Sequence, residues 1–163
     1  MAEYDIAVAG HLCLDLTPTF NPTNAQSFSE LIVPGTLVNV GPCVVSTGGP
    51  VSNTGLALVK LGCRTMVIAK VGDDAFGKTI REKMAAYGAE KGVVEVPGES
   101  TSYTLVLAPP GLDRVFLHHT GANDTFCADD VPYDSLSDVG VLHLGYPPLM
   151  RRMYQDEGRE LIA

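Results

Sequence analysis

The first stretch able to do chemistry is Gly48-Gly49-Pro50-Val51-Ser52-Asn53. Two adjacent glycines let backbone approach a ligand closely and take dihedrals closed to other residues. A helix starting at Pro50 offers unpaired N–H groups in its first turn. Asn53, in that turn, carries both a donor and acceptors. The combination suits a polyol, whose hydroxyls each donate and accept, and it would also serve as an ordinary tight turn before a helix. A second candidate is Asp15, just past the predicted first strand in Gly10-His11-Leu12-Cys13-Leu14-Asp15. Open α/β sheets bind ligands beyond the carboxyl ends of their strands. A carboxylate there can accept from two sugar hydroxyls; a solvated loop aspartate is the plainer alternative.

Residues 72–79, Gly-Asp-Asp-Ala-Phe-Gly-Lys-Thr, fit the phosphate-loop pattern G-x-x-x-x-G-K-[ST] between a predicted strand and a predicted helix. Such a loop wraps phosphates in backbone N–H groups. Asp73 and Asp74 would place two carboxylates beside that cradle, and Phe76 is bulky where backbone must come close. No later strand ends in an acidic residue suited to Mg²⁺. The segment therefore reads as an aspartate-capped helix start with Lys78 exposed, and an NTPase remains only a third reading of the chain. The histidines His11, His118, His119 and His143 show no metal-ligand spacing, so no metal site is expected. His119 could face a sugar, although each histidine also fits a core or solvated position.

Elements must bring these residues together. The 163 residues match one domain of roughly 100–200 residues. With 45% apolar and 18% charged residues the chain is not a disordered polyelectrolyte. Its net charge of −8 argues against non-specific nucleic-acid or acidic-membrane binding, while leaving room for a small phosphorylated ligand. No apolar run approaches the roughly 20 residues of a membrane helix. The start, Met1-Ala2-Glu3-Tyr4-Asp5-Ile6, lacks the charge and apolar pattern of a signal peptide. Four scattered cysteines without a C-x-x-C pair predict reduced thiols and a cytoplasmic protein.

Periodicity and turn residues predict strands over 4–9 and 12–16, a loop over 17–29, and three short β stretches at 31–33, 36–40 and 43–46 forming a small antiparallel sheet. A helix then runs from Pro50 to a stop at Gly62. A strand over 65–71 leads to a helix capped by Asp73 or Asp74, with an inner face of Phe76, Ile80, Met84 and Tyr87. A strand over 93–96, a hairpin of 103–108 with 114–119, a strand over 139–144 and a last helix over 149–162 complete the order. Strands alternating with helices imply a mostly parallel sheet covered by helices, the short strands forming a side sheet or lid.

These pieces resemble the ribokinase-like (PfkB) carbohydrate kinases. The carriers are Gly48-Gly49-x-x-x-Asn53 opening a helix, Leu61-Gly62, Val71-Gly72-Asp73-Asp74-x-x-Gly77, and Val8-Ala9-Gly10 followed by Asp15. The hairpin leading to His119-Thr120-Gly121-Ala122-Asn123 resembles the second lid segment of that family. The resemblance implies an α/β, three-layer Rossmann-type sheet in one domain, with an inserted β lid at about 12–46 and 98–120. It implies phosphoryl transfer from ATP, with Mg²⁺, to a hydroxyl of a sugar or nucleoside-like substrate. Asp15, Gly48, Gly49, Asn53, His119 and Asn123 would bind that substrate, and lid edges could pair two copies into a homodimer.

Residues 121–126, Gly-Ala-Asn-Asp-Thr-Phe, resemble the catalytic Gly-Ala-Gly-Asp-Thr-Phe of the same family. They follow a lid hairpin and lead into Cys127-Ala128-Asp129-Asp130-Val131-Pro132, which is no small-residue helix start for phosphate. Asp124 is therefore not taken as the general base. The base and the nucleotide site are expected in a C-terminal half beyond Ala163, which would leave this chain inactive alone. Cys13 stands where such sites often carry Asn, and Gly145-Tyr146 where many carry Glu, so ribose itself is not implied. The alternative reading is a non-catalytic sugar-binding or dimerisation module of the same fold.

Overall fold

Strand β1 (Ile6–Gly10) is a run of small apolar residues, and it lies in the middle of a parallel sheet. The computed structural model describes residues 3–162; the sequence readings that touch Met1, Ala2 and Ala163 lie outside the described residues. In chain order there follow β2 (Cys13–Pro18), α1 (Phe28–Leu31), β3 (Cys43–Gly48), a π-turn (Val51–Leu56) running into α2 (Ala57–Lys60), and β4 (Thr65–Gly72). Next come α3 (Ala75–Ala85), β5 (Val93–Val96), β6 (Tyr103–Leu107), β7 (Val115–His119), α4 (Tyr133–Leu136), β8 (Val141–Gly145), α5 (Arg151–Tyr154) and α6 (Arg159–Ile162).

The first sheet has the order β5-β4-β1-β8, all parallel. Successive strand residues face opposite sides. Val8, Val67, Ala69 and Val71 therefore share one face and pack with Val51, Leu56, Ile80 and Met84 from the π-turn and α3. Ala7, Ala9 and Ile68 share the other face and pack with Phe126, Val131, Met150 and Met153. Both faces of the central strands β1 and β4 are covered, so these read as continuous apolar runs, whereas the edge strands leave Val94, Val141 and Leu142 exposed. On the second face the buried Lys70 donates to the Thr125 carbonyl (3.2 Å) and pairs with Asp130 (3.3 Å), which satisfies its charge.

The second sheet has the order β3-β2-β6-β7. Strand β2 runs antiparallel to β3 and parallel to β6, and β6 forms an antiparallel pair with β7. The chain passes from the first sheet to the second across His11 and Leu12 alone.

Three expectations change. Residues 31–33 and 36–40 are not strands: a short helix ends at Leu31, and 36–40 carries no regular structure. Pro34-Gly35 and Gly41-Pro42 break any ladder, and the backbone of 41–42 bonds instead to Thr19. Leu37 is 87% exposed, so the stretch has no buried face to hold it in register. The helix expected over 149–162 is broken, because Asp156, Glu157 and Gly158 all take positive φ between α5 and α6. Tyr87 lies beyond α3 and outside the core, with the Lys60 ammonium 4.9 Å from its ring centroid.

The look-alike phosphate loop is a capped helix start. Gly77 N–H donates to Asp74 Oδ1 and Thr101 N–H to Asp74 Oδ2, both at 2.8 Å; Gly98 N–H donates to Asp73 Oδ1 at 3.2 Å. Asp74 thus takes the Gly77 N–H that a phosphate would need, two carboxylates stand at the helix start, and Lys78 is exposed. Asp74→Ala should cost about 1–2 kcal/mol and lower the thermal midpoint by roughly 2–6 °C. Lys78→Ala should stay within about 0.5 kcal/mol. Equal losses in thermal unfolding would contradict the capping role.

Candidate functional site

Strand register assembles the first wall of the site. Asp15 of β2 pairs with Thr104 of β6, which pairs with His118 of β7. Paired residues project on the same face, as do residues two apart along a strand. Cys13, Asp15, Thr104, Phe116 and His118 therefore form one surface, and they line a cavity of about 510 Å³. The opposite face of the sheet carries Leu14, Leu16 and Tyr103 into the core against Phe76.

Gly49 and Asn53 join the same cavity from the turn after β3. A Cβ on Gly48 would overlap the Asp15 carboxylate, so a glycine there is what lets that side chain lie against β3. Gly49 has φ +84°, and a Cβ on it would stand 2.5 Å from His11 Nδ1. Asn53 N–H donates to the Gly49 carbonyl (2.8 Å) as the π-turn opens, which leaves its side chain exposed at the cavity.

Asp15, Gly49 and Asn53 thus meet at one cavity, with Gly48 behind Asp15. His119 and Asn123 lie elsewhere. His119 follows His118 by one residue, so it projects from the other face; its Nε2 is 2.8 Å from Ser100 Oγ and its ring packs on Tyr103. Asn123 is fully buried, where Nδ2 donates to the Leu12 carbonyl (3.0 Å) and Oδ1 accepts from Leu12 N–H (3.3 Å). Its amide is spent on backbone. Asp124 accepts from Thr120 Oγ1 (2.8 Å) and from Arg151 N–H (3.4 Å) within a short 3₁₀ turn, so its carboxylate is also engaged.

Sequence reasoning did not select His11, Thr104, Phe116, His118 or Tyr146, which also line the cavity. Period two from Asp15 points to Cys13, but His118 over His119 follows only from the β6–β7 register. Tyr146 had one signal, its place after the last strand where many relatives of this fold carry a Glu of the sugar site.

The imidazoles and thiol next to Asp15 are held uncharged. His11 is 2% exposed, and burial, reinforced by the neighbouring His118, pushes its pKa down to about 4. Burial also lowers His118. The two Nε2 atoms lie 3.4 Å apart, and His118 Nδ1 is 2.9 Å from Thr104 Oγ1. Burial and the Asp15 charge push the Cys13 thiol up to about 12, and its Sγ–H donates to Asp15 Oδ1 at 3.3 Å. Among the described residues Asp15 is the cavity's one carboxylate and Arg114 its one guanidinium.

Among the described residues no group of three or more His, Cys, Asp or Glu is placed to hold a metal ion, and no helix is long and apolar enough to cross a membrane. The ATP phosphates and Mg²⁺ that the resemblance implies do not fit either look-alike motif, because Asp74 caps the Gly77 N–H with a second carboxylate, Asp73, beside it, and the Asp124 carboxylate already has partners.

The buried histidine sets a pH dependence. Between about pH 4 and 6.5 the unfolded chain takes up a proton at His11 that the folded chain does not. Stability from this site is full above pH 6.5 and declines as pH falls toward 4, by up to about 3 kcal/mol. His11→Gln should flatten the stability profile across that window in urea denaturation. An unchanged slope would assign the dependence to another group.

A family model described as pfkB family carbohydrate kinase matches residues 8–151. The 2-dehydro-3-deoxygluconokinase of Thermoproteus tenax is 31% identical over 117 residues, which cover 69% of this chain and 36% of that protein. A nucleoside kinase of Methanothermobacter thermautotrophicus is 28% identical over 98 residues, covering 60% of this chain and 32% of that one. The aligned part spans about a third of the length of both relatives. Among solved structures, a ribokinase from Giardia lamblia superposes with a TM-score of 0.74 at 21% identity, over 86% of this chain and 44% of that one. A ribokinase from Thermotoga maritima gives 0.67 at 19% identity, over 85% and 44%. The structural likeness shows a ribokinase-like α/β fold with a parallel sheet and a second sheet, and the match over residues 8–151 shows that the chain belongs to the pfkB family of carbohydrate kinases.

Proposed function

We propose that this chain holds a sugar or sugar-like substrate for ATP-dependent phosphoryl transfer to one of its hydroxyls. The observation that carries the reading is the convergence of Asp15 from β2 with Gly49 and Asn53 from the turn after β3, two segments distant in sequence, on one cavity between the two sheets. Asp15 accepts from substrate hydroxyls, Asn53 both donates and accepts, and the Gly48-Gly49 turn lets the substrate lie close to backbone. Positioning of this kind supplies a large share of catalysis in phosphoryl transfer. The second sheet, built from about 12–46 and 98–120, acts as the lid that excludes water. The whole chain, 1–163, serves as the substrate-binding part of one domain, and the free edges of β3 and β7 are where a second copy would pair. Four unpaired cysteines fit a reducing cytoplasm.

Because the Asp124 carboxylate is engaged and the 72–79 segment cannot cradle phosphate, the 163-residue chain alone is expected to bind substrate without turning it over. ATP-dependent phosphorylation at enzyme-like rates would overturn that expectation. The site itself is tested by calorimetry with D-ribose, 2-dehydro-3-deoxygluconate and inosine, compounds that represent the chemistry named for the relatives and structural neighbours. Asp15→Asn should weaken the ligand that binds about tenfold or more, since a hydrogen bond to a charged group contributes about 1.5–3 kcal/mol. Unchanged affinity in a folded variant would remove Asp15 from the site.

A further inference from the structure

The cavity has two unlike halves. Asp15, Gly49 and Asn53 form a polar floor suited to hydroxyls. Beside it runs an arc of rings. The Tyr146 and His11 centroids are 6.0 Å apart and those of His11 and His118 are 5.2 Å apart. Phe116 lies two residues from His118 on the same face of β7. Phe116 and Tyr146 remain 52% and 54% exposed, although rings of that size are normally covered. Tyr146 is held at φ 60° and ψ 48°, a left-handed conformation that a bulky residue rarely adopts and that tends to mark functional positions. A strained backbone thus holds one ring of the arc at the cavity.

We propose that the substrate is a nucleoside: a sugar seated on the polar floor and carrying a planar, uncharged nitrogen heterocycle stacked within the arc. This deepens the sugar-kinase reading above and rests on it. A free sugar offers these rings only the C–H patches of its own ring and no π-face. A heterocycle offers π-faces for these rings and edge donors and acceptors for the neutral imidazoles of His11 and His118. A sugar acid would instead call on the Arg114 guanidinium, which lines the cavity 5.2 Å over the Phe116 ring and keeps its N–H donors, so the sugar acid is the competing ligand in the test below. That cation–π contact adds a further stacking surface.

The test is calorimetry on the 163-residue chain with inosine, D-ribose and 2-dehydro-3-deoxygluconate, repeated for Phe116→Leu and Tyr146→Asn. Leucine keeps an apolar side chain without the π-face, and asparagine tolerates the left-handed backbone. Inosine should bind about tenfold tighter than ribose or more, and each substitution should cut that advantage about fivefold, in keeping with base stacking on aromatic side chains. If ribose or the sugar acid binds as tightly as inosine while Asp15→Asn still weakens it, the nucleoside assignment falls and the sugar site stands. An inosine preference indifferent to both ring substitutions overturns the stacking arc. If none of the three compounds binds, the sugar-kinase reading falls with it.

Discussion

The structure depends on how the backbone of Leu12 is satisfied. The chain leaves the parallel sheet at Gly10 and enters the second sheet at Cys13, so His11 and Leu12 cross between two layers with no ladder of their own. Leu12 is fully buried, and an unpaired peptide there would cost about as much as a lost buried hydrogen bond. Asn123 supplies both halves of the missing ladder, accepting from Leu12 N–H and donating to its carbonyl. That staple fixes where β2 begins, and hence where Asp15 faces. The segment carrying Asn123 follows the β6–β7 hairpin directly, so the same contact ties that hairpin to the end of β1. The cavity lies between elements that this one amide holds together.

The first sheet was legible because its physics is local. Strands buried on both faces read as apolar runs, Asp74 caps a helix, and Gly62 and Gly88 end theirs. The second sheet was legible only in outline. Its hairpin follows from two β-prone runs around Pro109-Pro110-Gly111, yet which of two adjacent histidines meets the cavity is decided by pairing with β6, a strand that ends before that turn. Residues 31–40 failed for the opposite reason: β-branched residues were present, but nothing covers them, and β propensity expresses packing more than backbone preference. The segment 149–162 has buried residues at Met150 and Met153 near its start, and the positive φ values at 156–158 interrupt it.

Two motifs matched phosphate-binding patterns and neither can cradle phosphate, for one shared reason. A phosphate site requires N–H groups that the protein leaves unpaired. At 72–79 the pattern itself contains the competitor, because Asp74 accepts from the Gly77 N–H at the helix start. At 121–125 the Ala122 and Asn123 N–H groups donate to the Ser100 and Thr120 carbonyls (2.8 and 3.2 Å), and the Asp124 carboxylate is bound by Thr120 and by the Arg151 backbone. Letter patterns record which donors and acceptors are present; only the fold determines which remain available.

The polar groups of the cavity wall have a direction that follows from Asp15. A carboxylate only accepts, so the Cys13 thiol must donate to it, and the same thiol sulfur accepts from the Thr104 hydroxyl at 3.7 Å. With its proton directed at sulfur, Thr104 Oγ1 accepts from His118 Nδ1–H. His118 Nε2 is then bare and accepts from His11 Nε2–H. Every donor in the row points toward the single negative charge, the arrangement that low dielectric rewards. Two consequences follow at the cavity. Asp15 Oδ1 is shared with the Cys13 thiol, and Oδ2 lies against Gly48. His11 Nδ1 is left as a buried acceptor with no partner, set against Gly49, where any larger residue would collide with it. The glycine turn and the aspartate, 33 residues apart in the chain, are thus coupled through one hydrogen-bonded wall whose polarity the protein itself fixes.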